Sequence, residues 1–166
     1  MGALYAYIGM CQSVSMWSLP VRLQDMLSRS SYTQEYIDAS RAAIGAQVAA
    51  YRDLVAAAQG GGAQLASAIE AFEPRCFNHM VLALDSYFCH RARGMEGKDG
   101  NPLNEARVLC TSLMEHGGVF TADKTIKLTP ESSLLHHAPG DEVRLSEADF
   151  ALLADAFFAE IELRFT

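Results

Sequence analysis

The sequence predicts a mainly α protein, a helical bundle of about five helices with one small antiparallel β-hairpin before the C-terminal helix. Apolar residues recur at intervals of three and four along most of the chain, which is the period of an amphipathic helix. Glycine and proline separate these segments, and strand-like β-branched residues concentrate only between about residues 119 and 145. The length of 166 residues and the hydrophobic fraction of 50% fit one core, so we expect residues 1–166 to form a single helical domain.

The N-terminal segment, residues 1–16, is apolar and contains no charged side chain. It lacks the basic start and the convincing cleavage site of a signal peptide, and no apolar run approaches the length of a membrane helix. We therefore expect a cytoplasmic protein with no membrane association. The sequence leaves the order of this segment open, and packing on the body or on a second subunit is the other option. A short helix is predicted from Ser18 to about Ser28.

Two helical regions follow, and glycine separates them. Ser31 and Gln34 have the spacing of a capping box, which predicts a long helix to about Ala58, before three consecutive glycines. The next region begins near Ala63. Because proline interrupts the hydrogen-bond ladder, we expect Pro74 to divide this region into a short helix and a longer one to about residue 93.

The last two helices have clear start signals. Asn101 followed by Pro102 predicts a capped helix to about residue 116. The β-hairpin is then expected at about 119–145, with its turn at Pro139 and Gly140. Ser146 caps the final predicted helix, which runs to about residue 165. Its apolar positions are Phe150, Leu153, Ala154, Phe157, Phe158, Ile161 and Phe165.

The charge distribution argues against a general nucleic-acid partner. Net charge is -7, and residues 128–166 contain eight acidic and two basic side chains. Nucleic-acid-binding domains usually carry a basic face, so we do not expect one here, although the middle block leaves a local basic patch open. The preference for arginine over lysine and the high alanine content are typical of a bacterium with a GC-rich genome.

Neither cysteine nor histidine spacing predicts a metal site or another cofactor. The four cysteines form no CxxC motif, so we expect reduced thiols with a packing role. His79 and His90 share one helical face but lie 11 residues apart, which is roughly 16 Å along a helix. Two ligands on one helix normally lie one turn apart, so these two histidines cannot bind one ion together.

The most chemically dense stretch is the connector, residues 90–107, which is rich in glycine and charge. Together with the polar face of the helix before it, the connector contains every site candidate. The catalytic candidates are Arg75, His79, His90 and Arg93. The ligand-binding candidates are Glu96, Lys98, Asp99, Asn104 and Arg107. The glycines and the helix N-terminus after them could hold an anionic ligand, although a tight turn with a salt-bridged network is the simpler interpretation.

Three functions are consistent with these patterns, and we recognise no protein family in them. The first is an interaction or regulatory module, expected to be a homodimer with an extended apolar subunit interface. The surfaces available for it are the tyrosine- and alanine-rich helix that ends at about Ala58, the amphipathic last helix and the apolar N-terminal segment. The alternative is a small enzyme acting on a phosphate-containing or nucleic-acid substrate, with the candidates above converging in one cleft. The third is a ligand-binding bundle whose pocket is lined by Tyr36, Tyr51, Met80, Tyr87 and Phe88.

Overall fold

The computed structural model describes residues 28–166, and five helices form this part of the protein. They are α1 (Gln34–Ala57), α2 (Ala63–Tyr87), α3 (Arg93–Glu96), α4 (Pro102–Glu115) and α5 (Glu147–Phe165). The mainly helical class is therefore confirmed. The apolar N-terminal segment and the helix predicted from residue 18 lie outside the described residues.

The core of the described residues forms around α5, which contacts the other four helices. Every apolar position predicted on α5 is buried, and five of these residues are fully enclosed. The rings of Phe157 and Phe158 both pack against Phe88, the residue after α2, and Phe150 packs against Phe77 of α2. Burying a phenylalanine contributes roughly 1.5–3 kcal/mol, so these rings fix α2 to α5.

Side chains cap three of the helices. Asn101 Oδ1 accepts hydrogen bonds from the N–H groups of Leu103 and Asn104, and Ser146 forms the expected capping box with Asp149. For α1 the predicted cap is wrong. Thr33 caps that helix by accepting from the N–H of Tyr36, two residues after Ser31.

The predicted division at Pro74 is also wrong, because α2 runs unbroken through it for 25 residues. A proline inside a helix leaves the carbonyl four residues earlier without its N–H partner. Here that carbonyl belongs to Glu70, an exposed residue, where water can satisfy it. The same helix ends at residue 87 rather than 93, and α3 forms a separate short turn inside the connector.

The predicted β-hairpin at 119–145 is not present in the described residues. A single antiparallel bridge joins Val119 to Glu142. Between these ends, backbone turns and side chains rather than a strand ladder satisfy the backbone, and Glu105 accepts from the N–H groups of Leu134 and Leu135. The alternating apolar residues that suggested strands are isolated core anchors, namely Phe120, Ile126, Val143 and Leu145.

No helix among residues 28–166 combines the length and the apolar character needed to span a membrane.

Candidate functional site

The connector contains a buried ion-pair network centred on Glu96. This carboxylate is completely buried, and its Oε2 lies 3.2 Å from Arg91 Nε and also pairs with Arg107. Asn104 donates to the other oxygen, Oε1, at 3.1 Å. An unpaired buried charge is very costly, so the guanidinium groups and the amide are what allow Glu96 to be buried as a carboxylate.

Arg91 is the second buried member of this network, with a side chain only 2% exposed. Its Nη2 lies 2.8 Å from Asp85 Oδ1, and its Nη1 donates to the carbonyl of Phe88 at 3.1 Å. Because Asp85 is on α2 and Glu96 is on α3, Arg91 joins the two helices. Arg93 is mainly exposed and lies 3.4 Å from Glu96, and burial together with neighbouring Arg91 lowers the pKa of Arg93.

The start of α4 is closed by residues of the connector itself. The Asn101 side chain donates to the carbonyl of Glu96 at 2.7 Å, while its oxygen caps the helix. A Cβ added to Gly100, which has φ +84°, would overlap the carbonyl oxygen of Lys127. The glycine that suggested an anion cradle therefore permits close packing of two loops.

Asp99 and Lys98 lie at the outer edge of the connector. Asp99 Oδ2 is 3.0 Å from Arg164 of α5, and hydrogen bonds from Asn101 and Arg164 hold the pKa of Asp99 below its usual range. The Lys98 side chain is exposed, and its carbonyl accepts from the N–H of Lys127. The five ligand-binding candidates thus lie in one region, but three of them face inward to hold helices together.

The four catalytic candidates do not share one cleft with that network. Arg75 and His79 are exposed on the outer side of α2, where His79 Nδ1 lies 2.7 Å from the Arg75 carbonyl oxygen. His90 is exposed beyond the end of α2, while Arg93 joins the Glu96 network. A different histidine, His116, lines a small cavity of about 150 Å³ together with Arg107.

The most unusual surface is the hairpin tip, residues 52–72, where α1 and α2 meet. None of its 21 residues is buried, although 12 are alanine, valine, leucine, isoleucine or phenylalanine and only three are charged. Phe72 is 46% exposed, Leu54 48% and Leu65 40%. Helices gain most of their stability by packing an apolar face, and residues 28–166 leave this part of α1 and α2 uncovered.

Within residues 28–166 the tip is uncovered because it extends past the beginning of α5. Arg52 Nε lies 2.5 Å from Glu147, the first residue of α5, and Glu73 accepts from the N–H of the same residue at 3.1 Å. Beyond this level α5 provides no side chains. The tip borders an open cavity of about 620 Å³, with Val55 and Ile69 in its lining.

A second apolar depression follows the outer side of α2. It has a volume of about 480 Å³ and lies between Gln47 of α1 and a row of α2 side chains. That row consists of Phe72, Arg75, Cys76, His79, Met80 and Ala83. Burial raises the pKa of the Cys76 thiol, which keeps it protonated and apolar at neutral pH.

Sequence inspection did not identify this surface, although a signal for it was present. Leu65, Ile69, Phe72, Cys76, His79 and Ala83 are spaced by four, three, four, three and four residues. We call these six residues the outer stripe. This spacing is the seam of a coiled coil, and it lies on a different side of α2 from the core residues Phe77, Val81 and Leu84.

Among residues 28–166 no three histidine, cysteine, aspartate or glutamate side chains are close enough to hold a metal ion. No known protein family, curated protein or solved structure matches the chain.

Proposed function

We propose that this protein is a non-catalytic interaction module that works as a homodimer, with the α1–α2 hairpin as the subunit interface. The observation that supports this most is the hairpin tip, where the adjoining ends of the two helices are apolar and none of residues 52–72 is buried. Leu54, Leu65 and Phe72 are each about half exposed, so covering them would contribute roughly half of the about 1.5–3 kcal/mol that full burial of such a side chain provides. An exposed patch of this kind usually marks a contact with another protein.

The connector geometry is consistent with the same proposal. An enzyme working through the Arg/His face and the connector needs these groups to converge on a substrate. Instead Glu96 and Asn104 are fully buried and paired with protein groups, and His79 lies on the outer side of α2. These polar residues hold helices together, which leaves the apolar hairpin as the surface best suited to a partner.

A charge placed in the hairpin is the direct test. Phe72→Glu would put a carboxylate into the subunit interface, where an unpaired buried charge is strongly unfavourable. We expect the dissociation constant of the dimer to rise about 100-fold, which corresponds to about 3 kcal/mol. Sedimentation equilibrium over a range of protein concentrations measures this constant.

Met114→Glu is the matched control, because Met114 is 70% exposed and lies on α4 rather than on the hairpin. We expect this variant to dimerise as the wild type does. A wild-type protein that remains monomeric at all concentrations would refute the proposal, and so would an equal effect of both substitutions.

A further inference from the structure

We infer that the small cavity at the C-terminal end of α4 binds the phosphate group of a small hydroxylated molecule. This cavity of about 150 Å³, which we call the α4 cavity, lies between α4 and the loop that follows it. Arg107 and Thr111 line it from α4, His116 from the end of that helix and Asp123 from the loop. The cavity lies outside the α1–α2 hairpin, so the inference does not depend on the proposed homodimer.

Arg107 provides the cavity with a cation whose hydrogen bonds are incomplete. Its side chain is 20% exposed, and its Nη2 pairs with Glu96. The Nε atom is buried and has no hydrogen-bond partner among residues 28–166. A buried donor without an acceptor costs free energy, and either water or an anion in the adjoining cavity can provide the acceptor. The planar guanidinium group also matches the geometry of phosphate oxygens.

The charges around the α4 cavity favour an anion over water. The chain contains three lysines, Lys98, Lys124 and Lys127, and all three are exposed. The N–H of Lys127 donates to the carbonyl of Lys98, and Lys124 follows Asp123 of the cavity wall. None of the ion pairs within residues 28–166 includes a lysine. In a chain of net charge -7, these two adjoining loops therefore concentrate positive charge that attracts a phosphate.

Asp123 is the carboxylate of the cavity wall, and it restricts which phosphate compound fits. Its Oδ1 accepts from the N–H and the hydroxyl of Thr125 at 2.7 and 2.8 Å. These hydrogen bonds, and to a smaller degree the charge of Lys98, hold the pKa of Asp123 below its usual range. A carboxylate repels a bare phosphate but accepts hydrogen bonds from hydroxyl groups. Arg107 and Asp123 in one wall therefore suit a ligand with both a phosphate and a hydroxyl group.

The volume of the α4 cavity agrees with a ligand of this class. One water occupies about 30 Å³ in the liquid, so the 150 Å³ of the cavity corresponds to roughly five waters. A phosphate group on a short carbon chain has a comparable size. A nucleotide would leave its base and sugar outside this space, so the volume favours a small phosphate ester.

NMR of the isotope-labelled full-length protein tests the inference at the atom on which it rests. The Nε–H group of Arg107 gives its own resonance, and we expect this resonance to shift during titration with glycerol phosphate. Inorganic phosphate should shift the same resonance with lower affinity, because it lacks the hydroxyl groups that Asp123 can bind. Sodium chloride at matched ionic strength is the control for general screening of charge.

Substitutions assign the contribution of each charge, with dissociation constants measured by calorimetric titration. Arg107→Gln removes the charged donor, and we expect the dissociation constant for glycerol phosphate to rise about tenfold. Lys98→Gln removes an exposed charge and should raise this constant about threefold. Asp123→Asn should weaken binding of glycerol phosphate but not of inorganic phosphate. Arg41→Gln is the matched control, because it removes one positive charge from α1, which packs on α2 and α5, and it should leave both constants unchanged.

Arg107 also pairs with Glu96, so circular dichroism must show that Arg107→Gln folds. If it does not fold, the wild-type titration and Lys98→Gln decide. A resonance of Arg107 that moves no further with glycerol phosphate than with sodium chloride would overturn the inference, and so would equal weakening by Lys98→Gln and Arg41→Gln. Inorganic phosphate that binds as tightly as glycerol phosphate would overturn the hydroxylated ligand and assign the site to free phosphate.

Discussion

At the scale of single residues, Glu96 is the side chain that its neighbours hold most tightly. It has no exposed surface, and its carboxylate is shared between Arg91 and Arg107, with Arg93 at the margin. The pair Arg91 and Asp85 extends this network to α2. Buried ion pairs often add little net stability, yet removal of one partner leaves the others buried and unpaired.

Glu96→Gln should therefore destabilise the fold strongly. The amide keeps the shape of the side chain but removes the charge that offsets Arg91 and Arg107, so we expect the free energy of unfolding to fall by about 3 kcal/mol. Urea denaturation followed by circular dichroism measures this change. Glu142→Gln is the control, because that side chain is 70% exposed and should change stability by less than about 0.5 kcal/mol. A loss below about 1 kcal/mol for Glu96→Gln would contradict the structural role.

Sequence reasoning could locate this network but not describe it. The density of charge in the connector marked Glu96, Asn104 and Arg107 as important. Whether such residues face solvent or each other depends on how α2, α3 and α4 pack, and no local pattern contains that information. The caps at Asn101 and Ser146 were predictable, because a cap involves only neighbours in the chain.

At the scale of secondary-structure elements, the length over which apolar residues keep a regular spacing decides what the sequence can predict. The apolar spacing on α5 correctly identified its buried face, because that face repeats through 19 residues. The segment 119–145 has only a short alternation, and four anchoring side chains produce it without any strand. The prediction that Pro74 divides α2 was wrong because the effect of a proline depends on its surroundings. An exposed turn tolerates the lost hydrogen bond inside α2.

Glu105 links α4 to the segment 119–145, and this contact gives a prediction at the scale of elements. Glu105 is 2% exposed and accepts from the N–H groups of Leu134 and Leu135 at 2.8 and 2.9 Å. Hydrogen bonds to a charged group contribute roughly 1.5–3 kcal/mol each. We expect Glu105→Ala to speed hydrogen exchange at these two amides at least tenfold, as measured by NMR.

Glu115→Ala is the control on the same helix, because Glu115 is exposed. Unchanged exchange at Leu134 and Leu135 in Glu105→Ala would show that Glu105 does not hold this segment. Equal acceleration by Glu115→Ala would show that the effect comes from α4 as a whole.

At the scale of the whole molecule, the described chain has two regions of different character. The body encloses a phenylalanine-rich core around α5, whereas the hairpin tip is apolar and uncovered. Sequence patterns favoured self-association and offered the helix that is now α1 as one surface for it. They did not single out the tip, because exposure of the tip follows from the level at which α5 begins. The heptad spacing of the outer stripe becomes interpretable only once the core side of α2 is known.

Hydrogen exchange at the hairpin tip as a function of protein concentration tests the central claim most directly. In a monomer, amides of residues 52–72 lie in a segment with no buried side chain and should exchange readily. We expect their protection to rise with concentration in proportion to the fraction of dimer, while amides of α5 stay protected throughout. Protection of the tip that is the same at all concentrations, in a protein shown by sedimentation to dimerise, would contradict the hairpin as the subunit interface.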